Sequence, residues 1–238
     1  MRKYAICCLL IVMFSCPAFA QEPQQPAPDP EDPARIQLLT NGVRLMQQGQ
    51  PQQAMQAFDT LIAQYNEKFK DETRTIYSSR SLPETLLYLL QAAAAKSGTG
   101  AVVVSPVWSL VFYYKGYCST ELGRAEDAKL YLDRAIAMSP MNALYLTERG
   151  NMYAKEKDWA SAMEKYRLAE EGANVYSPAA SKNGDLARVW RSKGFVLVEQ
   201  HQLDEAEKLY LQCLSLDPND QRAANELKYV QNLKAKAH

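Results

Sequence analysis

Four stretches of this 238-residue chain share one frame: a glycine, an alanine twelve residues on, and a large residue four beyond that. They are Gly42, Ala54 and Phe58; Gly116, Ala128 and Leu132; Gly150, Ala162 and Tyr166; and Gly194, Ala206 and Tyr210. Three residues of specified size recur in one frame when the same contact is rebuilt each time. Small residues let two backbones approach, and large ones fill the space beside that approach. The second and third glycines lie 34 residues apart, room for two antiparallel helices and their turns. One such hairpin cannot bury its apolar face alone, so neighbours must stack around a shared core.

The residues around each frame resemble the tetratricopeptide repeat. The fourth stretch carries Trp190 ahead of Gly194 and Asp217-Pro218 at its end. The second has Gly123 at the inter-helix turn and Ser139-Pro140 at its close. The third reads Arg149-Gly150-Asn151-Met152-Tyr153, with Trp159 opening its second helix, and the first has Gly42 and Gly49. The resemblance implies an all-α superhelical solenoid with repeats over about 35–68, 109–142, 143–176 and 187–220.

Two spacings depart from the pattern. The first and second glycines are 74 residues apart, which sets aside an atypical segment, 69–108. Within it, 83–96 reads as a helix with proline in its first turn, 97–100 as a break, and 101–104 as a β-prone run. A degenerate repeat with an altered second half is expected there. The third and fourth glycines are 44 residues apart, and the Gly, Ala, Ser and Asn of 172–185 suggest a lengthened loop. Residues 221–236 form an amphipathic pattern with Leu227, Val230 and Leu233 on one face, suited to capping the open end of the stack.

In the family, the helix positions three before and one after the glycine look into a concave groove. Here they are Leu39 and Val43, Tyr113 and Tyr117, Thr147 and Asn151, and Arg191 and Phe195, with Arg188 one turn before Arg191. The resemblance therefore names Tyr113, Tyr117, Thr147, Asn151, Arg188, Arg191 and Phe195 as partner-binding. Exposed aromatics and arginines are common interface anchors. Asn151 and Arg188 match positions of the family's carboxylate clamp, but Tyr113, Thr147 and Ser192 do not, so clamp specificity is not assigned. The competing reading has Tyr113 and Phe195 packing against neighbouring helices and the arginines solvated.

The first twenty residues read as a signal peptide. Arg2 and Lys3 precede an apolar run over 5–15, too short to span a bilayer, and Ala18-Phe19-Ala20 supplies the small residues at −3 and −1. Cleavage after Ala20 and export to a bacterial periplasm are expected. A lipoprotein anchored through Cys16 is the alternative, on a loose match over 13–16. Five prolines within 21–33 make that stretch an extended linker.

Lysine plus arginine and aspartate plus glutamate both total 27, which lacks the basic footprint of phosphate-backbone binding. Nucleic acid is therefore not an expected partner, and no integral membrane span is expected after cleavage. Beyond the signal segment only Cys118 and Cys213 remain, and they fall in different repeats, so two separate buried thiols are expected. Two histidines, His201 and His238, do not suggest a metal site, and no catalytic arrangement or cofactor motif stands out. The sequence thus reads as a non-enzymatic exported scaffold, without cofactor, for a protein or peptide partner carrying an acidic group. A self-associating envelope protein is the alternative.

Overall fold

The computed structural model describes residues 32–95 and 100–236. The signal peptide, its cleavage site and the linker up to residue 31 lie outside the described residues. Asp32 accepts a hydrogen bond from the Ala34 amide at 2.9 Å, and Pro33 already occupies the first turn of a helix. Proline fits there because its missing N–H would have had no helical partner. The expected linker therefore ends one residue early.

Four antiparallel helix pairs follow the frame. They are α1 (Pro33–Gln47) with α2 (Pro51–Lys68), α4 (Val107–Glu121) with α5 (Ala125–Met138), α6 (Ala143–Lys155) with α7 (Trp159–Val175), and α8 (Ala179–Glu199) with α9 (Leu203–Leu216). A last helix, α10 (Gln221–Lys236), packs on α9. The stack is an all-α superhelix of tetratricopeptide type. Each inter-helix turn places one residue in the left-handed region, seven positions after the frame glycine. Gly49 and Gly123 have φ of 71°, and Lys157 and His201 take the same place at 61° and 59°.

The frame glycines act by making room for a ring. A Cβ on Gly42 would collide with the Phe58 ring, and one on Gly150 with the Tyr166 ring. One on Gly194 would sit 2.7 Å from the Tyr210 ring. In the second repeat the large residue is Leu132, and the Gly116 position instead faces the Ala128 carbonyl oxygen at 3.3 Å. Phe58, Tyr166, Tyr210, Ala54, Ala162 and Ala206 are fully buried. The close approach is therefore of a glycine to an aromatic ring, with the alanine packed one turn earlier on the same helix.

The atypical segment is not a degenerate repeat. It folds as β1 (Thr75–Ser78), α3 (Leu82–Ala94) and β2 (Ala101–Val104), with the two strands parallel and paired from Thr75 with Ala101 to Ser78 with Val104. Parallel strands need a crossover, and α3 supplies it. The β-prone run is a strand, and its partner over 75–78 was not foreseen. The helix begins at Leu82, where Ser81 accepts a hydrogen bond from the Glu84 amide, and it ends at Ala94 rather than at 96.

The expected loop over 172–185 is also corrected. α7 runs to Val175 and α8 starts at Ala179, so the extra residues lengthen helices. Gly172 is buried, and a Cβ there would collide with the Met141 carbonyl oxygen. That glycine serves a close approach between backbones rather than chain flexibility. Cys118 and Cys213 are separate, buried, free thiols, and burial pushes both up to about 11.

Candidate functional site

One helix from each of three successive pairs, α4, α6 and α8, brings the predicted residues to a groove. Tyr113 and Tyr117 of α4 line a cavity of about 270 Å³ together with Glu148, Asn151 and Lys155 of α6. Arg191, Ser192 and Phe195 of α8 line an adjoining cavity of about 770 Å³. The two cavities share Glu148, Asn151 and Lys155. The far wall of the larger one comes from Arg222, Asn225 and Glu226 on α10. α10 thus lines the groove as well as packing on α9.

Local packing holds these side chains. The Tyr113 ring stacks on Tyr145 at 5.4 Å, and burial, with the Glu148 charge adding to it, raises the Tyr113 phenol well above its usual range. Asn151 accepts a hydrogen bond from the Tyr166 hydroxyl at 2.8 Å and donates one to Glu148 at 3.2 Å. Its amide is therefore oriented by the third repeat's own ring. Tyr117 and Phe195 are about half exposed. Burial raises the phenols of Tyr166 and Tyr210, which keeps both hydroxyls as neutral donors. The Tyr210 hydroxyl, in a side chain that lines the larger cavity, has no hydrogen-bond partner among the described residues.

Three expectations change. Thr147 does not face the groove: it is fully buried, and its hydroxyl donates back to the Ala143 carbonyl at 2.6 Å. A short β-branched side chain can satisfy its hydroxyl on its own helix and leave the surface to its neighbour. That neighbour, Glu148, forms the wall, so an acid stands where a small polar residue was expected. Arg191 lines the cavity, but its guanidinium is ion-paired with Asp220. Asp220 also accepts from the Ala223 amide at 3.1 Å, so this arginine ties α8 to the start of α10. Arg188 lies 4.0 Å from Glu148 and lines neither cavity.

The groove's unpaired positive charge lies elsewhere. Lys155, Lys157 and Arg222 line the larger cavity and have no ion pair among the described residues. No sequence signal separated them from the many surface cations, because the frame places only the helix positions around each glycine. Lys157 sits in a turn and Arg222 on α10. Among the described residues no group of His, Cys, Asp and Glu could hold a metal ion, and no helix is long and apolar enough to cross a membrane.

Family models described as tetratricopeptide repeat match residues 121–178 and 187–220. The chain carries tetratricopeptide repeats. The first matched stretch starts at the end of α4 and runs through the third helix pair, and the second holds Trp190, Gly194, Ala206 and Tyr210. Among proteins of known structure, Pseudomonas aeruginosa pilF is similar over 85% of this chain and 70% of that one, with a TM-score of 0.54 and 14% identity. At that identity the likeness shows the repeat fold alone. The first repeat domain of Spaghetti (RPAP3), solved with an HSP90 peptide, is 25% identical over 53% of this chain and 93% of that one, with a TM-score of 0.40. The KIF-binding protein of Xenopus tropicalis is 30% identical over 122 residues, which is 48% of this chain and 19% of that protein. Human RNA polymerase II-associated protein 3 is 25% identical over 122 residues and 17% of its length. The chain thus spans about a fifth of the length of the curated relatives it matches.

Proposed function

We propose that this protein is an exported protein-interaction scaffold whose concave groove takes a peptide segment carrying acidic groups beside an apolar one. The observation that supports this is the pair of adjoining cavities, which join aromatic side chains to three cations that the described residues leave unpaired. Tyr117, Trp159 and Phe195 offer ring surface, and Lys155, Lys157 and Arg222 offer charge. Ring faces bury apolar area at low entropic cost, and the cations select for carboxylates. Glu148, Glu226 and Glu199 also line the larger cavity, so the groove favours a peptide of mixed charge over a uniformly acidic one. Export rests on the n-region, the short apolar run and Ala18-Phe19-Ala20, and an intact mass beginning at Gln21 checks it.

The test is capture of native partners by the purified chain and by Lys155→Ala with Arg222→Ala. A charge-assisted contact contributes about 1.5–3 kcal/mol, so each lost contact lowers affinity by one to two decades. Capture should fall while circular dichroism stays unchanged, since both side chains are exposed. Undiminished capture overturns the cationic part of the reading.

A further inference from the structure

Three repeats bury a ring against the frame glycine, and they treat its far end differently. Phe58, Tyr166 and Tyr210 each fill the place that a Cβ on Gly42, Gly150 or Gly194 would take. In the first repeat the ring carries no hydroxyl, and Val43 follows the glycine. In the third, Asn151 follows it, and its side-chain carbonyl accepts a hydrogen bond from the Tyr166 hydroxyl at 2.8 Å. In the fourth, Phe195 stands in that place and offers no acceptor. The fully buried Tyr210 therefore keeps a hydroxyl that has no hydrogen-bond partner among the described residues. An unsatisfied buried hydroxyl is costly, and Phe58 shows that a phenylalanine does the same packing. The Tyr210 side chain lines the larger groove cavity, so an acceptor can come from whatever occupies that cavity.

We propose that the Tyr210 hydroxyl donates a hydrogen bond to a main-chain carbonyl of the peptide bound in the groove. This rests on the groove reading and adds to it a contact that every peptide can make. The neighbours of the hydroxyl choose a neutral acceptor. The Glu226 charge lies close enough to help burial raise the phenol, so it opposes a carboxylate at the same point. The raised phenol stays protonated and remains a donor. The hydroxyl is closed to solvent, but Phe195 and Glu226, which line the cavity, are exposed side chains that can shift as a peptide enters. A carbonyl contact adds affinity without reading side chains, which leaves the choice of acidic residues to Lys155, Lys157 and Arg222.

The free protein gives the first test. Removing a hydroxyl that has no partner should leave the thermal midpoint of Tyr210→Phe at or above the native one. Tyr166→Phe takes the donor away from Asn151 and should melt lower. A Tyr210→Phe midpoint lowered as far as that of Tyr166→Phe would mean that the hydroxyl is already satisfied, and would overturn the proposal. The second test uses a peptide recovered by the native chain from a random phage-displayed heptapeptide library and resynthesised with a fluorophore. Tyr210→Phe should bind it about three- to tenfold more weakly in fluorescence anisotropy, the size of one hydrogen bond. Thioamides, which accept more weakly, are then placed at one peptide bond after another. One position should reproduce the loss in the native chain and cause no further loss in Tyr210→Phe. Equal affinity of the two chains, or the same thioamide losses in both, overturns this inference and leaves the groove reading standing. A Tyr210→Phe loss that vanishes when the peptide's Asp and Glu are changed to Asn and Gln would assign the hydroxyl to a carboxylate and overturn it equally. A library that yields no peptide overturns the groove reading, and this inference with it.

Discussion

The frame contacts of the helix pairs are apolar, whereas the β1–α3–β2 insertion adds long-range polar joints to its share of the core. In the pairs, a missing side chain at Gly42, Gly150 or Gly194 admits the ring of Phe58, Tyr166 or Tyr210, and the contact is apolar and local. In the insertion, Val104 enters the main apolar core with Ile76 and Val102 packed against it, and further joints to the repeats are polar and distant in sequence. Arg80 bridges Glu84 and Asp185, each at 3.4 Å, and Asp185 also accepts from Ser177 at 2.6 Å. The Tyr88 hydroxyl donates to Glu84 at 2.9 Å and accepts from the Met141 amide at 3.1 Å, and the Ser139 hydroxyl donates to the Ser78 carbonyl. Removing one member of a buried polar network leaves the others unsatisfied, whereas crowding an apolar joint only strains it.

The largest effect should therefore come from the insertion. Glu84→Ala leaves Arg80 and Tyr88 short of a buried partner, and breaking such a pair costs about 3–5 kcal/mol. Amide exchange of Thr75–Ser78 and Ala101–Val104 should accelerate by roughly two decades or more, while the α8–α9 amides keep their protection. Equal acceleration in both regions would erase the distinction. A smaller effect belongs to the repeats. Gly194→Leu drives a side chain into Tyr210, and overpacking of this kind costs about 1–3 kcal/mol. Thermal unfolding should move down, with the α9 and α10 amides losing protection first. Gly184 lies on the same helix with nothing within 4 Å, so Gly184→Ala should stabilise by about 0.5–1 kcal/mol. An unchanged midpoint in Gly194→Leu would mean that the ring moves aside without cost.

The same contrast explains what could be read from the amino-acid sequence. Size at a fixed spacing is a local constraint, so the frame of Gly, Ala and a large residue located four helix pairs and the groove-facing helices. A polar joint has no such spacing. Nothing in Thr75-Ile76-Tyr77-Ser78 announces a strand until β2 lies beside it, since four residues carry too little pattern. The Gly, Ala, Ser and Asn of 172–185 suggest a loop, yet Gly172 permits a backbone contact, and Asp185, which accepts from Ser177 and Ser181, pairs with Arg80. In the groove, Tyr113, Tyr117, Asn151, Arg191 and Phe195 fell where the frame put them. The charge state of the groove did not follow, because Arg191 is neutralised by Asp220, 29 residues on, and Glu148 replaces Thr147 at the surface.

The central claim is that the concave face is the working surface, and site-directed photocrosslinking reads it directly. A benzophenone amino acid placed at Tyr117 or Phe195 looks into the groove. One placed at Leu130, which is 66% exposed on α5 and lines neither cavity, does not. Irradiated with native extract, the two groove positions should yield the same heterologous adduct, and its intensity should fall in Lys155→Ala with Arg222→Ala. An adduct from Leu130 with none from Tyr117 or Phe195 would contradict the account and move the binding surface to the outer helices.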